Sequence, residues 1–190
     1  MGKLVVTEFI TLDGVVEDPG GAEKTAAGGW AFAFDRGPEG DAFKGDELKA
    51  ADAQLLGRVT YEGFAQAWPN MNQDWFGQKM NEMPKHVVSS EPLSIEWTNS
   101  TRLQGDLADG VTALKAQYSG DILVAGSISL AQALTELGLV DEYRLMLYPV
   151  VLGSGKRLFA EPGPHRALKL REAKPTGECM TMVYEPANGA

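Results

Sequence analysis

Three short clusters in this chain bring glycine, hydroxyl and cationic residues together where apolar runs end: Gly57-Arg58-Val59-Thr60, Ser89-Ser90 and Gly126-Ser127-Ile128-Ser129. These residue types suit phosphate binding. A helix that starts just after a buried strand presents unpaired N–H groups and the positive end of its dipole. Glycine at the turn lets an anion approach the backbone. Arg58 adds a guanidinium able to bind phosphate bidentately, provided an anion sits between it and the helix start. The other reading of Arg58 is an ion pair with Glu62 at i+4. Two aspartates are candidates for orienting a substrate or relaying a proton. Asp13 lies in Leu12-Asp13-Gly14, and Asp41 opens a helical stretch. Each also has a plain structural reading, as a turn residue and as a solvated helix-terminal charge.

The stretch Asp121–Phe159 shows how such a cluster is positioned. Ile122-Leu123-Val124-Ala125 is apolar without alternation, as in a strand buried on both faces. Leu130, Ala133, Leu134 and Leu137 share a helical face, Ser129 and Gln132 have capping-box spacing, and Gly138 suits a helix end. The order of buried strand, glycine and helix start recurs from Ala53 to Phe64. Further strands are predicted at Lys3–Ile10, Lys85–Ser90, Leu168–Glu172 and Glu178–Tyr184, and further helical segments at Asp41–Ala51, Asn72–Met83 and Val111–Tyr118. Strands alternating with helices predict an α/β fold, and the closing pair predicts an antiparallel edge. Between Glu17 and Gly40 the chain is rich in Gly, Pro and Ala; there Trp30, Phe32 and Phe34 alternate as in a short strand or extended lid, as core or as pocket lining. Gly153-Ser154-Gly155-Lys156 resembles the end of a P-loop, but Val150 and Arg157 stand where that motif needs Gly and Ser or Thr, so it reads as a turn.

A length of 190 residues fits one domain over 1–190, with an ordered core of about 3–185. A net charge of -9 argues against nucleic-acid binding and requires any anionic ligand to be held locally. Cys179 is the only cysteine, so no disulfide forms within the chain; the two histidines, His86 and His165, are not spaced as metal ligands, and no metal is expected. No apolar run is long enough to span a membrane and no signal segment is seen, so a cytoplasmic location is expected.

Leu55-Leu56-Gly57-Arg58-Val59-Thr60-Tyr61-Glu62 resembles the "GR-x-T" segment of dihydrofolate reductases. Leu12-Asp13-Gly14 resembles the turn after the first strand in the reductase domain of the bifunctional riboflavin-biosynthesis enzyme, and the stretch from Ile122 to Phe159 is similar to the C-terminal half of that domain. The likeness runs from Leu4 to about Tyr184 and points to a stand-alone relative of that reductase domain. It implies a three-layer dihydrofolate-reductase-like fold with a mixed, mostly parallel sheet, and an NADPH-dependent reductase of a pyrimidine- or pterin-like small molecule. The nearest activity is that of 5-amino-6-(5-phosphoribosylamino)uracil reductase; dihydrofolate reduction and nucleotide binding without turnover are the alternatives. The resemblance places Gly57, Arg58, Val59 and Thr60 on the cofactor phosphates, with Arg58 near the 2′-phosphate. Ser89 and Ser90 fall by the adenosine half, and Ala125, Gly126, Ser127, Ile128 and Ser129 at the pyrophosphate. Asp13, Gly14 and Trp30 fall on the substrate side. Ala125 stands where the family often has glycine, which restricts the backbone there. A homodimer is implied as well; a weaker reading makes the strand Tyr143–Tyr148 a pairing edge between copies.

Overall fold

Alternation along the central strand sets the layers. Leu4, Val6 and Ile10 of β1 (Leu4–Thr11) join one core cluster and Val5 joins another. The first cluster takes Val111 and Leu114 from α4 (Leu107–Gln117), Leu130 and Leu134 from α5 (Ile128–Glu136), and Ile122 and Val124 from β5 (Asp121–Ala125). The second takes Leu48 from α1 (Gly37–Ala50), Met80 from α3 (Trp75–Glu82) and Leu123 from β5. Next to it, Tyr61 of α2 (Arg58–Ala67) packs on Leu56 of β2 (Ala51–Gly57) and Val87 of β3 (Lys85–Val88). Helices α1, α2 and α3 therefore cover one face of the sheet and α4 and α5 the other, as the three-layer fold requires. The computed structural model describes residues 1–187; residues 188–190 of the predicted domain lie outside the described residues.

The remaining strands are β4 (Ser100–Arg102), β6 (Glu142–Tyr148), β7 (Leu168–Thr176) and β8 (Cys179–Pro186). Among the described residues the sheet has eight strands, in the order β4-β3-β2-β5-β1-β6-β8-β7. All pairings from β4 across to β6 are parallel, and β8 and β7 close the sheet antiparallel. The predicted α/β class and antiparallel edge are both present. β6 is an interior strand, paired with β1 on one side and β8 on the other. Its backbone groups are taken, so the strand Tyr143–Tyr148 cannot pair with a second copy.

Two local expectations give way to other physics. Ser129 and Gln132 form no capping box: α5 starts at Ile128 after Ser127, Ser129 is exposed inside the helix, and the Gln132 amide donates to the Arg157 carbonyl. Its buried face runs through Leu130, Ala131, Leu134 and Thr135, while Leu137 is 53 % exposed beyond the helix end. At that end Gly138 takes φ +67°, and the N–H of Leu139 donates to the carbonyl of Leu134. Trp30, Phe32 and Phe34 do not form a strand. Trp30–Ala33 is a single 3-10 turn, with Trp30 buried and Phe32 at 81 % exposure.

The segment before that turn is organised by one carboxylate. Asp18 is 2 % exposed, and its oxygens accept from the N–H groups of Glu23 and Thr25 and from the Thr25 hydroxyl. Burial works against its ionisation, but these donors outweigh it and hold its pKa below the ordinary 3.8. The carboxylate therefore lends stability above the ordinary aspartate pKa and loses it as the pH falls through the lower, folded value. Asp18→Ala is expected to speed proteolytic cleavage within 19–28 at least about tenfold at neutral pH, the worth of one or more charged hydrogen bonds, with little change in far-UV circular dichroism.

Candidate functional site

β1 and β5 part company at a defined point. Their pairing runs from Leu4 opposite Ile122 to Thr7 opposite Ala125, while β1 stays paired with β6 as far as Thr11. Beyond Ala125 the chain turns toward α5 on one face; β1 and β2 lead to α1 and α2 on the other. Connections that diverge in this way open a crevice beyond the carboxyl ends of the strands.

The turn out of β5 uses two consecutive left-handed residues, Gly126 at φ +61° and Ser127 at φ +56°. Gly126 is needed twice over, for its dihedral and because a Cβ there would sit 3.2 Å from Thr60 Cγ2. Ser127 has a Cβ, so its conformation is strained and must be held by its surroundings. The β2–α2 junction holds it: the Ser127 N–H donates to Thr60 Oγ1 at 2.8 Å, and Ser127 Oγ accepts from the Gly57 N–H at 2.9 Å. The Ala125–Gly126 peptide is trans, and Ala125 stays in the strand. Left-handed geometry passes instead to Gly126 and Ser127.

This pair of bonds brings the starts of α2 and α5 side by side. Neither helix has a side-chain cap. Elsewhere the helix starts are served: Asp74 caps α3, Asp106 caps α4, and at α1 Asp35 accepts from the Gly37 N–H ahead of Pro38. The first-turn N–H groups of two helices thus remain available in one place, where an anion can dock. Gly57, Arg58, Val59, Thr60, Gly126, Ser127, Ile128 and Ser129 all belong to this junction.

Arg58 takes both partners open to it on the protein. It lies 3.2 Å from Glu62 and 3.8 Å from Glu91, with its side chain 38 % exposed. Pairs this exposed are weak, which leaves the guanidinium free to exchange a carboxylate for a phosphate. Ser89 and Ser90 follow β3, whose Val88 lies opposite Gly57. Ser89 Oγ is engaged with the backbone of Glu91, and its carbonyl accepts from Arg102 at 2.7 Å. Arg102, a second cation at this end of the cleft, lies on the short strand β4, which carries too little pattern to be read from sequence.

Both aspartates have partners on the protein. Asp41 is exposed and salt-bridged to Arg36 at 2.6 Å. The inward carboxylate of α1 lies further along, at Glu47, which is 4 % exposed and accepts from Thr7 Oγ1 and Lys44. The Lys44 ammonium also lies 5.4 Å from the centre of the Phe9 ring, and Arg36 lies 5.7 Å from the same ring. Phe9 packs on Tyr148, and Tyr148 meets the edge of Trp30 at 5.3 Å. Trp30 supports this wall from the core. Sequence reasoning did not single out Glu47; the i,i+3 pair Lys44–Glu47 is the signal that could have found it.

Asp13 accepts from the Thr11 hydroxyl at 2.6 Å and from the N–H groups of Leu152 and Gly153, pinning the end of β1 to the turn after β6. The Thr11 hydroxyl first, then the Gly153 N–H, hold its pKa down at about 2. Gly14 beside it takes φ +82°.

A cavity of about 550 Å³ lies elsewhere, between α2 and the segment 94–98. Its walls carry Glu62 and Glu96, which repel an anion, and none of the predicted site residues.

Thr60→Val removes the acceptor of the Ser127 N–H and is expected to cost about 1–2 kcal/mol in urea unfolding. The stability that Asp13 contributes is present above the ordinary value of 3.8 and fades as the pH falls toward about 2. Thermal scans of wild type and Asp13→Ala should therefore differ most near pH 6 and converge as acid is added.

Among curated proteins, the chain is 27 % identical to the uncharacterized Bacillus subtilis protein YyaP over 192 residues, covering 98 % of this chain and 96 % of that protein. In fold it is similar to a putative riboflavin biosynthesis protein from Shewanella sp. PV-4, at TM-score 0.76 and 18 % identity over 98 % of this chain and 99 % of the other. It also matches Acinetobacter baumannii RibD, at TM-score 0.69 and 16 % identity over 99 % of this chain and 59 % of that one. The model of the RibD C-terminal domain matches residues 2–182, and the chain belongs to that family.

Proposed function

We propose that this protein is an NADPH-dependent reductase of a pyrimidine- or pterin-like small molecule, closest in type to 5-amino-6-(5-phosphoribosylamino)uracil reductase. The observation that carries the reading is the pair of uncapped helix starts, α2 and α5, tied together by the Gly57–Ser127 and Ser127–Thr60 hydrogen bonds. Two adjacent phosphate sites are what a dinucleotide pyrophosphate needs. The bound dinucleotide supplies hydride to an electron-poor carbon of the substrate.

The chain's own residues bind and orient. The N–H groups at the starts of α5 and α2 hold the phosphates, Arg58 takes the 2′-phosphate, and Ser89 and Ser90 border the adenosine end. On the substrate side, beside Asp13, Gly14 and Trp30, stand the Phe9–Tyr148 wall and the Lys44–Glu47 pair. Glu47 is held by Thr7 and Lys44, so it is already oriented before a substrate arrives. No helix among the described residues is long and apolar enough to cross a membrane. A cytoplasmic homodimer completes the reading by family resemblance.

Fluorescence titration with NADPH should show saturable binding. Arg58→Ala is expected to weaken NADPH by roughly tenfold or more, the worth of a charged hydrogen bond, and NADH far less. Equal losses for the two would remove the 2′-phosphate role. Oxidation of NADPH in the presence of the ribosylamino-uracil, against dihydrofolate, then separates the two substrate classes.

A further inference from the structure

Glu8 is a buried titratable group that the reading above does not use. It is the first β1 residue beyond the last pair with β5, Thr7 opposite Ala125. Leu4, Val6 and Ile10, which share its side of the strand, lie in the apolar cluster beneath α5. Glu8 is 5 % exposed, and its Oε1 has no hydrogen-bond partner among the described residues. One residue past Ala125, the last partner of β1 on this side, stands Gly126, the first of the two left-handed residues, whose backbone N–H acts on the Glu8 carboxyl group. The charged groups that act on it are Lys44 and Glu47, both from α1.

We propose that Glu8 is a positioning residue for the anion site: as a neutral acid it supports the Gly126 N–H from below and leaves the α5 start to a phosphate, and as a carboxylate it competes with that phosphate. The inference rests on the dinucleotide reading of the cleft. Its basis is the placement of an uncommitted, buried oxygen beneath the strained turn that aims the α5 N–H groups. A carboxylate there would sit among apolar side chains with an unpaired oxygen, the costliest way to bury the group. Burial pushes the Glu8 carboxyl well above its ordinary 4.5, and Glu47 adds to this, whereas Lys44 and the Gly126 N–H oppose it without prevailing. Docking of a phosphate places negative charge at the same helix start and makes ionisation of Glu8 less favourable still. Binding and protonation are then linked, and each favours the other.

The test reads the Gly126 amide in a nitrogen–proton correlation spectrum and the NADPH affinity by fluorescence, both across pH, for wild type, Glu8→Gln and Glu8→Ala. In wild type the Gly126 amide should follow a titration well above the ordinary 4.5, absent in Glu8→Gln. NADPH affinity should fall through the same range, by at most about tenfold per pH unit for one linked proton. Glu8→Gln, which stays neutral and keeps an oxygen for the amide, should bind as tightly as wild type at low pH and lose that alkaline decline. Glu8→Ala, which lacks both the oxygen and the charge, should bind NADPH about tenfold more weakly than Glu8→Gln at every pH, the worth of one lost hydrogen bond; if it does not fold, Glu8→Gln decides alone. A Gly126 titration near the ordinary glutamate value, or a wild-type pH profile in Glu8→Gln, overturns the role of Glu8 while leaving the cleft reading intact. Failure of wild type to bind NADPH at any pH overturns both.

Discussion

The cleft depends on an exchange of two hydrogen bonds between loops far apart in sequence, Gly57 N–H to Ser127 Oγ and Ser127 N–H to Thr60 Oγ1. A serine in the left-handed region stores strain, and only over-determined surroundings keep it there. Here the surroundings are the start of another helix. Each helix start is thus the other's brace, and neither spends its remaining first-turn N–H groups on a cap. The sheet makes this possible by placing β2 and β5 as neighbours while sending their following helices to opposite faces.

Much of this was legible in the sequence. Apolar runs without alternation mark strands buried on both faces, and Ile122–Ala125 and Ala53–Leu56 are such strands. The junction of the α2 and α5 starts was legible for the same reason: glycine and hydroxyl residues directly after a buried strand have few structural uses other than a tight turn into a helix. What escaped was set by contacts distant in sequence. That Leu152 and Gly153, from beyond β6, donate to Asp13 is one such contact. Trp30 and Phe34 keep the spacing of a strand, but both pack on Tyr148, and Tyr148 chooses the 3-10 turn.

The buried acidic groups were the hardest to read. Glu8 interrupts an otherwise apolar strand face, and Glu47 lies within a helix whose charged residues look like a solvated surface. Burial of a charge is costly, so sequence reasoning assigns such residues outward. The structure keeps Glu47 by giving it Lys44 and Thr7, and keeps Glu8 where β1 has lost a neighbouring strand. Glu47 depends on Thr7 from another element, and Glu8 on where the β1–β5 pairing ends.

The loop gathered by Asp18 has a consequence of a different kind. Its carboxylate bonds reach only five and seven residues along the chain, to Glu23 and Thr25. A segment that satisfies its own backbone in this way loses little further entropy when a ligand docks against it. It can also change its outward residues without renegotiating the sheet. The segment after Asp18 is therefore a separable cassette, whose outward residues can vary over an unchanged sheet.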